Sequence, residues 1–223
     1  MANDKKICFI MCTNNEKYMN EAAFYISNLI VPQGYEIDFL TVDGAKSMAA
    51  GYNEAAAATD AKYKVYLHQD VFIVNKNFIQ DILDIFKDEK IGMIGMVGSP
   101  KLPKTYVPWY GYRVGALYSS NITQSGCSVL DNSYTGVQEV EAVDGFMMIT
   151  QVDIPWREDL FTGWDFYDVS QSAEYQKAGY KVVVPSQSTP WCLHDDGFLN
   201  LLHYHEARRI FIKEYKDTTK EVW

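Results

Sequence analysis

Residues 47–73 read SMAAGYNEAAAATDAKYKVYLHQDVFI, and the fold class turns on them. Ser47 can cap a helix whose body, running to Thr59, is rich in alanine, the best helix former. Asp60 falls just beyond its end. Tyr63–His68 (YKVYLH) alternates in character and reads as a strand. That strand runs into Gln69-Asp70, and the apolar Val71-Phe72-Ile73-Val74 follows at once. Upstream, Lys6–Cys12 (KICFIMC) is a short apolar run, read as a buried strand that ends in the polar turn Thr13-Asn14-Asn15-Glu16. A helix follows over roughly Lys17–Leu29, with Met19, Ala22, Ala23, Ile26 and Ile30 on one side. Pro32-Gln33-Gly34 breaks it, and Tyr35–Val42 makes a second strand that ends at Asp43-Gly44. Downstream, Asn75 or Asn77 can cap a helix with the face Phe78, Ile82, Ile85 and Phe86, and Ile91–Val97 is another apolar strand. Strand and helix therefore alternate up to Ser99. That pattern predicts an α/β protein with a mostly parallel sheet and helices on both faces.

The pattern changes after Ser99. Residues 100–139 hold Pro100, Pro103, Pro108, several glycines and the cluster Tyr106, Trp109, Tyr110 and Tyr112. They read as irregular loops with room for a hairpin, and a loop of that length is often functional. An exposed aromatic patch at 106–112 would suit an acceptor platform or a subunit interface. Val140–Thr150 returns to strand, Phe166–Ala178 is a helix with Gly179 at its end, Lys181–Val184 is a short strand, and Leu199–Tyr215 is a final amphipathic helix. No internal repeat or linker divides the chain.

Bulk properties narrow the function. The 223 residues suffice for a sizeable core, and 48% hydrophobic with 22% charged is ordinary for a globular protein. The net charge of −9, with no Lys/Arg block, argues against a nucleic-acid partner. An acidic protein that binds an anionic ligand needs a local positive charge, which a metal can supply. Cys8, Cys12, Cys127 and Cys192 show no C-x-x-C spacing. Cys8 and Cys12 point to one face of their strand, too far apart to bridge, and reduced thiols in a cytosolic protein account for them. The apolar run near the start is too short for a signal h-region or a membrane span. Asn121-Ile122-Thr123 is a formal glycosylation sequon of the kind expected by chance.

Ligands of an open α/β sheet bind at the carboxyl ends of its strands. Thr13-Asn14-Asn15, Asp43-Gly44, His68-Gln69-Asp70 and Gly163-Trp164-Asp165 all fall at such places. Each alone can be a turn former or helix cap; their convergence points to a site. Asp70, between two apolar segments, is costly unless hydrogen-bonded to local backbone, paired, or on a metal. In His194-Asp195-Asp196-Gly197 the three side chains cannot all face one ion, so His194 with a partner from elsewhere is the realistic ligand. His203 and His205 lie about 200° apart on a helix and read as ordinary helix residues. Asp165 is either the N-cap of the following helix or a general base. Trp164 either packs in the core or stacks on a sugar. G-x-x-x-x-G-K-[ST], G-x-G-x-x-G and G-x-S-x-G are absent from the sequence, which counts against P-loop ATPases, typical NAD enzymes and ordinary serine hydrolases.

In order and content these elements resemble the nucleotide-sugar glycosyltransferases of the GT-A fold, and most closely the bacterial, family 2-like inverting enzymes. KICFIMCTNNE resembles the opening strand and turn, and residues 47–73 the helix and the strand ending in Asp-x-Asp. AVDGFMMI and FTGWDFYDVSQSAEYQKAGYKVVVP resemble the acceptor-side strand and the acid–helix–Gly-Tyr block. The resemblance implies a single domain over 1–223, a three-layer α/β/α sandwich with a mostly parallel mixed sheet. Residues 1–99 would form the nucleotide-binding half and 100–223 the acceptor-side half. It implies Asp70 and His194 as ligands of a divalent metal, Mn2+ or Mg2+, and Asp165 as catalytic base. Thr13, Asn14, Asn15, Asp43, Asn53, His68 and Gln69 would join Asp70 on the donor side. Trp164, Trp109, Asp144 and Gly145 would meet the acceptor. A UDP-sugar donor, a glycan or lipid-linked acceptor, and a cytoplasmic location that extends to the inner face of the membrane follow from the same likeness. Two departures stand out: Asp-x-Asp is His68-Gln69-Asp70 here, and the acidic pair before the helix is Trp164-Asp165. The first motivates a competing reading, a catalytically inactive nucleotide-binding subunit of the same fold. A metal-dependent hydrolase or nucleotidyltransferase on a similar sheet is the third.

Overall fold

The computed structural model describes residues 2–121, 125–197 and 200–216. Strand β1 (Asn3–Thr13) is buried on both faces from Ile7 to Met11, as its continuous apolar run requires. Helix α1 (Glu16–Ser27) starts on Asn15, whose side-chain oxygen accepts from the backbone N–H groups of Lys17 and Tyr18. Strand β2 (Glu36–Asp43) follows. Ser47 caps helix α2 (Met48–Ala57), accepting from Ala50 N–H, as its place in the sequence predicts. Strands β3 (Ala61–Leu67) and β4 (Val71–Ile73) flank His68-Gln69-Asp70, and helix α3 (Phe78–Ile85) leads to β5 (Ile91–Gly95) and β6 (Val97–Ser99).

Beyond Ser99 the chain forms a 3-10 turn at Pro108–Tyr110 and the hairpin β7 (Val114–Asn121) and β8 (Ser125–Val129). Then come β9 (Val137–Glu139), β10 (Ala142–Val143), β11 (Met147–Thr150), α4 (Tyr167–Lys177), β12 (Lys181–Pro185), β13 (Cys192–Gly197) and α5 (Tyr204–Tyr215). The sequon reaches Ile122 and Thr123, and the expected start of the last helix is Leu199; both lie outside the described residues. Among the described residues no helix is long and apolar enough to cross a membrane.

The main sheet has the order β2-β1-β3-β11-β5-β12-β9. β1 pairs in parallel with β2 and β3, and β12 with β5, whereas β11 and β9 run against their neighbours. The period-2 alternation of β1 sorts the layers. Ile7, Phe9 and Met11 pack with α1 and α3 on one face, and Cys8, Ile10 and Cys12 with α2 and α4 on the other. Cys8 and Cys12 thus share a face as expected, and all four cysteines are free.

Three features depart from the sequence-based expectation. The single strand expected over Val140–Thr150 is broken at Asp144-Gly145-Phe146, so β10 pairs with β6 while β11 enters the main sheet between β3 and β5. A second sheet, β10-β6-β7-β13-β4 with β8 alongside β7, stands next to the first. Asp165 does not cap α4. Phe166 holds the N-cap position with φ of 61° and no side-chain cap bond. A left-handed φ at a bulky buried residue is an uncommon backbone state, held here by packing against Tyr204 and Phe211.

Candidate active site

A cleft of about 870 Å³ opens at the carboxyl ends of β1 and β3. Thr13 and Asn14 after β1, Gly44 and Ala45 after β2, and His68, Gln69 and Asp70 after β3 form one side. Leu160–Asp165 form the other, with His203, Glu206, Ala207 and Ile210 from the start of α5. This is the crevice expected of a parallel α/β sheet.

The turn after β1 is set by Gln69. Its Oε1 accepts from Thr13 Oγ1 at 3.1 Å and from the backbone N–H groups of Asn14 and Asn15 at 3.1 and 3.0 Å, while its Nε2 donates to Asn14 Oδ1 at 2.8 Å. Gln69 therefore spends its side chain on the shape of the turn, and Asn15 spends its own on the α1 cap. Asp43 lies beside Thr13 in the β1–β2 register and is exposed, but it does not itself line the cleft, whose wall there begins at Gly44.

Below the turn, His68, Asp70 and His194 converge, with one ligand atom from each lying within 4.8 Å of the others. Asp70 Oδ1 is 3.9 Å from His68 Nδ1 and 3.5 Å from His194 Nε2. That oxygen is buried and receives no well-formed hydrogen bond, which suits a cation ligand. Burial opposes its charge, but the two neighbouring rings outweigh burial and hold the Asp70 carboxyl below the usual range. Burial, with His194 close by, lowers His68 to about 4, so its ring is neutral at physiological pH with a lone pair to offer. His194 stacks on Phe146 at 5.1 Å and 23°. Of its acidic neighbours, Asp195 accepts from Tyr18 Oη at 3.1 Å and turns away. His194 of that cluster thus stands next to His68 and Asp70 from the end of β3, while Asp195 is engaged by Tyr18.

The opposite wall carries Asp165 and Trp164. Met48 N–H, at the start of α2, donates to Gly163 O at 3.1 Å and ties this loop to the helix. Burial raises the Asp165 carboxyl, with His203 pulling it back. Trp164 is 53% exposed on the cleft wall, so it does not pack in the core. His203 lines the cleft although its sequence context reads as ordinary helix; His205 does not, in keeping with their opposed directions.

Asn53 is a correction: it does not line the cleft. Its amide makes a two-way clamp on Trp156, donating to the carbonyl at 3.0 Å and accepting from the N–H at 2.9 Å. Trp109 also stands apart from the cleft wall and packs on Tyr204 at 4.7 Å. Asp144 is exposed at the break between β10 and β11. Gly145 is buried beneath it and fixed by chain geometry, since a Cβ there would lie 2.3 Å from Tyr167 Oη.

Two residues escaped sequence reasoning. Tyr167 is buried and hydrogen-bonds His68 Nε2 at 2.5 Å. Asp168 accepts from Gly145 N–H at 2.9 Å and Val169 N–H at 2.8 Å. Burial, helped by the nearby Asp144, pushes its carboxyl up to about 7. The available signal was an acid in the first turn of a helix that lacks an N-cap side chain. Cys12, also at the cleft, is pushed up to about 11 by burial and is no nucleophile at neutral pH.

Among curated proteins none matches the chain. Solved structures do. The crystal structure of S. aureus TarS superposes with a TM-score of 0.63 at 12% identity, covering 97% of this chain and 40% of that one. A shorter TarS chain in complex with UDP-GlcNAc gives 0.62 at 11% identity, with 97% and 68% coverage. The mannosyltransferase PcManGT from Pyrobaculum calidifontis, in complex with GDP-Man and Mn2+, gives 0.59 at 13%, with 96% and 65%. This chain thus spans less than half of that TarS chain, and at such identities the likeness is one of fold, the GT-A fold. Residues 8–215, from the first strand to the last helix, match the profile of the Glycosyltransferase like family, and the chain belongs to that family.

Proposed function

We propose that this protein transfers a sugar from a nucleoside-diphosphate donor to a hydroxyl group of a glycan or lipid-linked acceptor, with inversion at the anomeric carbon. The observation that carries the reading is that His68 and Asp70, which converge with His194, line the same cleft as Trp164 and Asp165. The donor set fits a divalent ion, Mn2+ or Mg2+ in the first reading: a buried carboxylate oxygen with no well-formed hydrogen bond, set between two imidazoles. When bound, such an ion supplies positive charge that makes a diphosphate a good leaving group in an acidic protein. The turn at Thr13–Asn15 and the Gly44-Ala45 edge receive the nucleoside, uridine being the favoured base by resemblance. Trp164 offers its face to an acceptor ring. Asp165 takes the proton of the acceptor hydroxyl as that oxygen bonds to the anomeric carbon and the bond to the diphosphate breaks. The raised Cys12 fits a reaction without a covalent intermediate.

A second reading of the base rests on Asp168. Its carboxyl at about 7 is close to where a general base works best, although both its oxygens already accept backbone N–H groups. Asp165 is preferred because it lines the cleft.

The test is a melting-temperature series with UDP- and GDP-sugars, with and without Mn2+, followed by assay of nucleoside diphosphate release with acceptor sugars. An ion-dependent shift with one donor, lost in Asp70→Ala, and acceptor-dependent release are expected. Binding without release would favour an inactive nucleotide-binding subunit. Release to water alone would favour a hydrolase.

A further inference from the structure

Charge is unevenly spread over this chain. Residues 101–113 (KLPKTYVPWYGYR) hold three cations and no acid, and residues 201–216 hold Arg208, Arg209, Lys213 and Lys216 against Glu206 and Glu214. Seven cations against two acids give these segments a net charge of +5, so the rest of a chain of −9 carries −14. The two segments lie together in the fold. Trp109 packs on Tyr204 at 4.7 Å, Tyr106 packs on Phe211 at 5.8 Å, and Arg208 Nε donates to the Thr105 carbonyl. The two acids are engaged elsewhere: Glu206 lines the cleft, and Glu214 pairs with Arg157 at 3.1 Å. Arg209 and Lys213 are exposed one turn apart on α5, and Lys101 and Lys104 are exposed on the loop beside it.

The same face carries large apolar groups on its outside. Tyr110 is 72% exposed and Leu202 78%, and Trp109 and Leu201 are exposed as well. The Leu201 carbonyl accepts from Tyr204 N–H, which sets Leu201 one turn from the ring that Trp109 covers. Tyr and Trp settle at a membrane–water boundary, where one end of the ring is wet and the rest apolar. Cations around them answer the negative potential of anionic headgroups, and an apolar anchor combined with a basic patch holds a protein at a bilayer where either alone is weak. We propose that the face formed by the 101–113 loop and α5 docks on a bilayer surface that carries anionic lipids, with Tyr110 and Leu202 entering the headgroup layer and Arg209 and Lys213 facing the headgroups. The remaining −14 is repelled by the same surface, which fixes the orientation. Asn200, His203 and Glu206 of the cleft wall interleave in sequence with the docking residues, so the docked protein holds the rim of its cleft at the bilayer. The inference deepens the proposed function by making the acceptor a lipid-linked one, and only that last step rests on the proposed transfer.

The experiment is flotation of the whole chain with phosphatidylcholine vesicles and with vesicles in which about a third of the lipid is phosphatidylglycerol, without donor, ion or acceptor. Binding to the anionic vesicles should be roughly tenfold stronger or more than to the neutral ones, and should weaken as salt rises. Leu202→Asp, and separately the pair Arg209→Glu with Lys213→Glu, should each lower it by about tenfold or more. All three side chains are exposed, so melting temperatures should stay near that of the parent. The pair Lys87→Glu with Lys90→Glu makes the same change of net charge on an exposed segment outside the patch and should leave binding nearly intact. Absence of flotation with anionic vesicles would overturn the proposal, as would flotation that survives both patch variants or falls equally in the Lys87 and Lys90 pair. A dimer that Leu202→Asp disperses, in place of vesicle binding, would assign the face to a second copy of the chain and overturn it too. Retention on heparin without vesicle binding would do the same in favour of a soluble polyanion. Vesicle binding by a protein that transfers no sugar would count against the proposed function only.

Discussion

Asp165 and Asp168 stand three residues apart at the start of α4 and are held differently, which lets them be told apart. Asp165 faces the cleft, whereas both oxygens of Asp168 are bound to backbone N–H groups. Asp165→Asn should lower the transfer rate by about a hundredfold or more while donor affinity, measured by calorimetry, stays near its original value. An unaffected rate would pass the role of base to Asp168. The raised carboxyl of Asp168 also has a signature in stability. Its unfolded form ionises near 3.8 and its folded form near 7, so in between the unfolded chain binds fewer protons. Stability from this group is therefore full below about pH 4, falls as pH rises, and levels off above 7. The melting temperature of Asp168→Asn minus that of the parent should climb between pH 4 and 7 and then stay flat. A difference independent of pH would show that Asp168 ionises normally.

At the scale of elements, the site depends on segments that touch a ligand only indirectly. Gly145, in the break between β10 and β11, leaves room for Tyr167, so Gly145→Ala should cost roughly 1–3 kcal/mol in denaturant unfolding and loosen the hold on His68. Gln69→Ala should weaken nucleotide binding while leaving ion affinity intact, since it frees the β1–α1 turn but touches none of the ion's donors. Titrations of the two ligands separately would check this. The first half of the fold was legible because its signals are local. KICFIMC is apolar on both faces and belongs mid-sheet, and Ser47 and Gly179 mark helix ends at the positions they occupy. The second sheet was not legible. β4, β6 and β10 are two or three residues long, and β13 finds β4 and β7 far away in sequence, so no window carries a period. The site divided in the same way. Asp70 stands out in the sequence as an acid between apolar runs, but the Tyr167–His68 bond spans 99 residues and depends on a glycine in a third element. Asn53 misled because an amide near a strand end serves a backbone clamp as readily as a ligand.

On the scale of the whole molecule, a chain with net charge −9 gathers its polar chemistry in one cleft between strand ends and α5. The place of β11 within that molecule has a consequence for how the chain comes together. β3 and β5 lie early in the sequence, yet neither touches the other in the sheet; the strand between them is supplied by residues 147–150. A nascent chain that has reached only Ser99 holds both strands with open edges and no partner to close the gap. Such edges pair indiscriminately, and sheets that wait on distant partners assemble slowly. A fragment of residues 1–99 should accordingly be aggregation-prone, without cooperative unfolding in circular dichroism. Extension past Thr150 is the earliest point at which protection from hydrogen exchange should spread across β3 and β5, so the ribosome must release half as much chain again before these strands can hold still.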